Sequence, residues 1–153
     1  MVKTKFKGSI PAVITPFNDN GDINFEQLER HIDFLISGGS HGLVSCGTTG
    51  ESPTLSHDEH KSVTEAILKF ANGKVPVMSG CGSNSTKESI ELVRHSEKIG
   101  VDAILLVSPY YNKPTQEGLF EHFNSISKAT SLPIYLYNIP GRSVVNINIE
   151  TMK

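Results

Sequence analysis

Cysteine, long apolar runs and an excess of charge of either sign are what this sequence has least of. Only Cys46 and Cys81 occur in 153 residues. Neither has C-x-x-C spacing or a neighbouring Cys/His ligand set, which argues against a disulfide framework or a structural metal centre. Two reduced, half-buried thiols are expected. No apolar run approaches the roughly 18 residues of a membrane span. The start Met1-Val2-Lys3-Thr4-Lys5-Phe6-Lys7 leads into only a short apolar stretch, so no span or secretory leader is read. Charged residues make up 20% of the chain and the formal net charge is −2, a balance with no footprint for nucleic acid. With 37% hydrophobic residues, the chain reads as cytoplasmic and globular, of one-domain size.

What is present is a repeat. Short apolar runs occur at Ile10–Ile14, Leu43–Cys46, Val77–Ser79, Ala103–Val107 and Ile134–Tyr137, and their ends fall about 30 residues apart, the length of one βα unit. Helical patterns lie between them. Asn24 with Gln27 caps the first, which carries Phe25, Leu28, Ile32 and Leu35 and stops at Gly38-Gly39. Ser56 with Glu59 caps the second, whose stripe is Val63, Ala66, Ile67 and Phe70 before Gly73. Ser85 with Glu88 opens the third, which ends at Gly100. Thr115 precedes the fourth, with Leu119, Phe120, Phe123 and Ile126, and a fifth begins near Asn148.

Strands and helices alternating at this spacing imply an α/β fold with parallel strands, either a doubly wound sheet or a (β/α)8 barrel. The polar clusters favour the barrel. Each follows a strand and precedes a helix, and contributions from several strand ends to one face are the barrel's habit. The expected architecture is therefore the amino-terminal five βα units of a (β/α)8 TIM barrel, with residues 1–153 a single domain fragment. A barrel needs eight units, so the rest of it is expected to lie outside this chain. An open half-barrel would otherwise expose strand edges and the inner face of its sheet.

Three of those clusters carry chemistry. Gly47-Thr48-Thr49-Gly50-Glu51-Ser52 sets two hydroxyls, and the N–H groups beside them, on a tight glycine turn suited to a small carboxylate or phosphate. Ser108-Pro109-Tyr110-Tyr111-Asn112-Lys113-Pro114 projects two phenols from a loop fixed by two prolines. Such phenols could pass protons or could pack at an interface. In Tyr135-Leu136-Tyr137-Asn138-Ile139-Pro140-Gly141-Arg142, alternation places Tyr135 and Tyr137 on one side of the strand. Arg142 is either a solvated arginine or, beside the other two clusters, a bidentate carboxylate ligand. His57 and His60 stand three apart in what reads as an exposed first helical turn. That is not the i,i+4 spacing of a zinc helix, so no metal is expected.

Gly-Thr-Thr-Gly-Glu, Pro-Tyr-Tyr-Asn-Lys-Pro and Tyr-Asn-Ile-Pro-Gly-Arg, in this order and spacing, resemble the dihydrodipicolinate synthase (4-hydroxy-tetrahydrodipicolinate synthase) family of pyruvate-dependent class I aldolases. The likeness runs from Gly8–Phe17 to the start of the fifth helix. It implies a lyase of lysine (diaminopimelate) biosynthesis that holds pyruvate as a Schiff base and condenses it with aspartate-4-semialdehyde, without a cofactor. It further implies that Thr48, Tyr111 and Tyr137 form a proton relay, with Tyr111 reaching in from a neighbouring subunit of a dimer or tetramer. Thr49 would grip the pyruvate carboxylate and Arg142 the semialdehyde carboxylate. Ser52, His57, His60, Asn84, Glu88 and Tyr110 fall where many members bind lysine as a feedback inhibitor, although Pro53 stands where a small residue is common.

The family's Schiff-base lysine sits at the end of the sixth strand, which places it near position ~165 at ~30 residues per unit. Lys113 and Lys153 are in the wrong places, so the 153-residue chain alone is expected to be inactive. Two alternatives accompany this reading. One is a sister aldolase, such as N-acetylneuraminate lyase or a keto-deoxy sugar acid aldolase, against which Arg142 argues. The other is a non-catalytic half-barrel fragment.

Overall fold

In the computed structural model, which describes residues 6–153, four parallel strands form one sheet in sequential order: β1 (Leu43–Ser45), β2 (Val77–Gly80), β3 (Ala103–Val107) and β4 (Ile134–Tyr137). Leu43 is in register with Val77, Met78 with Ala103, and Ile104 with Ile134. The first predicted strand, Ile10–Ile14, shortens to a single parallel bridge from Ala12 to Val44. Two hydrogen bonds hold it, from the Val13 N–H to the Val44 carbonyl and from the Val44 N–H to the Pro11 carbonyl, both within 3.0 Å. Proline at 11 has no N–H to extend the ladder. The segment nonetheless occupies the free edge of β1, where a first barrel strand belongs.

Four helices follow the sequence signals closely. They are α1 (Phe25–Ser37), α2 (His57–Ala71), α3 (Thr86–Ile99) and α4 (Gln116–Ser127). Asn24, Ser56, Ser85 and Thr115 each cap a helix by accepting a backbone N–H three residues on, and Ser56 with Glu59 completes a capping box. Such caps satisfy amide donors that the helix itself leaves orphaned, each worth about 1 kcal/mol. α2 ends on Asn72 and α3 on Gly100, both left-handed, with Gly100 at φ 90°. The predicted fifth helix near Asn148 is only a 3₁₀ turn, Ile149–Met152. A one-turn helix, α5 (Pro140–Ser143), stands in what read as an irregular loop.

Strand alternation divides the apolar side chains between two faces. Leu43, Val77, Ile104 and Leu106 point toward the helices. They join Leu28, Ile32, Val63 and Ile67 of α1 and α2, and Leu92, Val93, Leu119 and Ile126 of α3 and α4, in two buried clusters. Val44, Met78 and Ala103 point the other way and cluster with Phe6, Leu105 and Tyr135, without any helical residue. A doubly wound sheet is clothed by helices on both faces, whereas here all four pack on one side of strands in sequential order. This is one side of a (β/α)8 barrel, with the second face as its interior.

Both thiols lie deeper than expected. Cys46 is 3% exposed and Cys81 fully buried, both are free, and burial pushes them up to about 12 and about 11. They stay protonated and inert at neutral pH.

Two glycines at the end of β2 shape the inner face. A Cβ at Gly80 would stand 2.3 Å from the Cys46 carbonyl oxygen, and one at Gly82 would stand 2.4 Å from the Val107 nitrogen. Backbone cannot yield as a flexible side chain does. Gly80→Ala is expected to lower stability by about 1–3 kcal/mol, read as a shifted urea midpoint; an unchanged midpoint would show that β1 and β2 separate freely at this end.

Candidate active site

The carboxyl ends of the strands surround a cavity of about 230 Å³. Leu105, Val107 and Ile139 supply apolar walls, Gly80 and Gly82 let the backbone approach, and Thr48, Tyr137 and Arg142 bring polar groups to the rim. Arg142 is the one charged residue of this lining, so the site favours a small anion with an apolar portion. Among the described residues, the hydroxyls of Thr48, Thr49 and Tyr137 and the Arg142 guanidinium take no hydrogen-bond partner. They remain available to a ligand.

Each group is held by local structure. The Gly50 N–H donates to the Gly47 carbonyl and the Glu51 N–H to the Thr48 carbonyl, both at 3.1 Å, so that Thr48 and Thr49 form the corner of a tight turn. That turn lies between two left-handed non-glycine residues, Cys46 (φ 47°) and Glu51 (φ 57°). Arg142 rides on α5. Buried Ser143 holds its hydroxyl 3.1 Å from both the Ile139 and the Val145 carbonyl, sharing its one hydrogen between them, and fixes that short helix. Asn138 closes the loop by donating to Asn146 Oδ1 at 2.8 Å and accepting the Ile147 N–H at 3.1 Å.

The sequence-predicted residues divide into three groups. Thr48, Tyr137, Arg142, Ser52 and Tyr110 line one cavity. Thr49 is exposed on the same turn, outside the lining. Tyr111 is 89% exposed and turned away from the cavity. Its φ is 72°, and the Asn112 N–H donates to the Tyr110 carbonyl at 2.9 Å across it, a γ-turn on a strained central residue.

The remaining predicted residues gather beside Tyr110. Ser83 donates to Glu88 Oε2 at 2.6 Å, His57 Nε2 stands 3.9 Å from Glu88 Oε1, and Asn112 donates to the Asn84 carbonyl at 3.2 Å. Burial raises the Tyr110 phenol above its ordinary range; a bond with Ser83 opposes this and the Glu88 charge adds to it. His60 differs from the exposed histidine expected in the first turn of α2. It is 5% exposed, and its Nε2 donates to the Gly80 carbonyl at 2.9 Å, which fixes the neutral tautomer. Burial brings it down to about 4. The i,i+3 pattern of His57 and His60 could not reveal this, because adjacent helical faces divide the pair between solvent and sheet.

Sequence reasoning missed the apolar and glycine part of the cavity. The signal was Gly80-Cys81-Gly82 at a strand end, where backbone approaches closely.

The model of the dihydrodipicolinate synthetase family matches residues 5–153. The chain belongs to this family. It is 58% identical over 147 residues to the 4-hydroxy-tetrahydrodipicolinate synthase of Rhizobium meliloti, covering 96% of this chain and 50% of that protein. The dihydrodipicolinate synthase of Aquifex aeolicus superimposes with a TM-score of 0.93 at 46% identity, over 96% of this chain and 50% of its own. That of Cyanidioschyzon merolae, solved with lysine bound, gives 0.90 at 40% identity, over 94% and 50%. The chain thus spans about half the length of these dihydrodipicolinate synthetase relatives.

Proposed function

We propose that this chain carries the pyruvate-handling side of a 4-hydroxy-tetrahydrodipicolinate synthase, which condenses pyruvate, bound as a lysine imine, with aspartate-4-semialdehyde. The observation that carries the reading is the convergence of Thr48, Tyr137 and Arg142 on one small, mostly apolar cavity in a chain of this family. Forming the imine joins the lysine nitrogen to the pyruvate carbonyl carbon and expels the carbonyl oxygen as water. Protons must therefore reach that oxygen and leave the nitrogen. The Thr48 hydroxyl and the Tyr137 phenol both donate and accept, and stand at one rim to move them. The turn at Thr49 suits the pyruvate carboxylate, and the Arg142 fork the carboxylate of the second substrate.

Tyr111 completes the relay from a neighbouring copy. What supports this is its strained, outward-facing turn, since a bulky residue at positive φ costs about 1–3 kcal/mol and no group among the described residues uses the phenol. The enzyme is thus a homo-oligomer in which one subunit supplies Tyr111 to the next. The remaining barrel units, with the imine lysine, belong outside these 153 residues.

The deciding experiment joins this chain to the second half of the Rhizobium meliloti relative. With pyruvate and borohydride, the joined protein is expected to gain the mass of a pyruvyl adduct and to turn over aspartate-4-semialdehyde, while the 153-residue chain gains none. An adduct on the short chain, or cleavage of N-acetylneuraminate in preference to condensation, would reject the proposal.

A lysine site beside the cavity is a second reading, favoured by His57, Asn84, Glu88 and Tyr110 lying together, with Ser52 on the adjoining cavity wall. His60 would support it from beneath through the Gly80 carbonyl rather than touch the ligand. Lysine at millimolar concentration is expected to inhibit the joined enzyme, and His57→Ala to weaken that inhibition about tenfold; an enzyme indifferent to lysine removes the site.

A further inference from the structure

Thr15 has no part in the chemistry above, yet it is buried, and its Oγ1 donates a 2.7 Å hydrogen bond to the Gly50 carbonyl, 35 residues away. Gly50 closes the turn that has Thr48 and Thr49 at its corner. The turn's other hydrogen bonds, from Gly50, Glu51 and Ser52, run within residues 47–52. Among the described residues, the Thr15 bond is therefore the one that ties the turn to a distant part of the chain. Packing makes the contact close. A Cβ added at Gly50 would stand 2.9 Å from the Val13 carbonyl oxygen and 3.4 Å from Thr15 Oγ1, so residues 13–15 press directly on the turn.

Cys46 and Glu51, left-handed on either side, give the turn a strained conformation to relax from once it is released. Removing the hydroxyl would also leave the buried Gly50 carbonyl without its partner, which costs more than the net worth of the bond itself.

We propose that Thr15 is a positioning residue, holding the Gly47–Gly50 turn at the height where Thr48 and Thr49 meet a single carboxylate. The proposal rests on the reading of that turn as the pyruvate grip. Thr15 touches no substrate; it acts through Gly50.

The test compares Thr15→Val, which keeps shape but loses the hydroxyl, with Thr15→Ser, which keeps the hydroxyl. Hydrogen exchange on the 153-residue chain reads the anchor without any ligand. In the valine variant the Gly50 and Glu51 amides are expected to exchange about tenfold faster, with amides of α3 and α4 unchanged, and the serine variant is expected to restore them. In the joined protein, the pyruvate concentration that half-saturates borohydride trapping is expected to rise about fivefold in the valine variant alone. Unchanged exchange in the valine variant overturns the anchor, as does a loss of protection spread over every helix and not rescued by serine. Faster exchange with unaltered pyruvate binding overturns the positioning role. If the unsubstituted joined protein traps no pyruvate, the grip reading fails, while the exchange comparison still decides the anchor.

Discussion

Tyr137→Phe, made in this chain joined to the second half of the Rhizobium meliloti relative, is expected to lower kcat for the condensation by about 10²–10⁴-fold, the usual worth of a positioned proton-transfer group. The fold should not notice. The Tyr137 hydroxyl takes no partner among the described residues, so its loss leaves no buried group stranded, and stability is expected to stay within about 0.5 kcal/mol. The KM for pyruvate should change less than kcat, because the ring that borders the cavity beside Ile139 remains. Stopped-flow measurement of imine formation and coupled-assay turnover check both parts. A kcat within threefold of the unsubstituted enzyme would remove Tyr137 from the relay.

The second large effect is on stability in acid. His60 is buried on α2 with its Nε2–H given to the Gly80 carbonyl, and burial is the main reason that it falls from 6.5 to about 4. Since the folded-state value is depressed, the unfolded chain binds the proton first as pH falls. Stability is therefore full above about 6.5, declines through the interval down to about 4, and is flat below it as far as this group is concerned. Two and a half pH units at 1.36 kcal/mol each amount to about 3 kcal/mol, a large share of the about 5–15 kcal/mol that holds a typical domain.

Burial also lowers His122, which adds to the slope with the same sign. Glu59 and Glu97 are held below their ordinary range chiefly by the hydroxyls of Ser56 and Ser131, and they act mostly at more acidic pH. His60→Gln keeps an N–H for Gly80 but cannot titrate, so urea unfolding between pH 6.5 and 4 should lose up to about 1.36 kcal/mol per pH unit of its slope. An identical slope in the variant would mean that His60 takes up its proton as readily in the fold as in the unfolded chain.

The consequence would reach the site. Gly80 lines the cavity, as does Cys46, whose thiol approaches the His60 carbonyl at 3.5 Å. Charging His60 would put a cation under the floor of the cavity, where desolvation outweighs the help of the Gly80 carbonyl.

Much of the architecture was legible because local signals and long-range packing agree here. The caps at Asn24, Ser56, Ser85 and Thr115 mark four helix starts that tertiary contacts have no reason to move. The apolar runs ending near Ser45, Ser79, Val107 and Tyr137 give strands at one βα spacing, and they put the three chemical loops at the same ends of a parallel sheet. The first strand was less secure. Its pattern is apolar enough, but Pro11 limits the ladder to one bridge, and pairing of this kind depends on donors rather than hydropathy.

Sequence by itself determined the four long helices, the order of the four paired strands between them and the residue types at the strand ends, since these follow from 3.6- and 2-residue periodicity and from capping chemistry within a few positions of each residue. Only the tertiary structure decided which of those residues share a cavity. It gathered Thr48, Tyr137 and Arg142, turned Tyr111 outward on a positive φ, buried His60 against Gly80 and brought Thr15 to Gly50 across 35 residues. Such contacts are fixed by sheet register and by how closely glycine lets two backbones approach, and neither is written in any short stretch of chain.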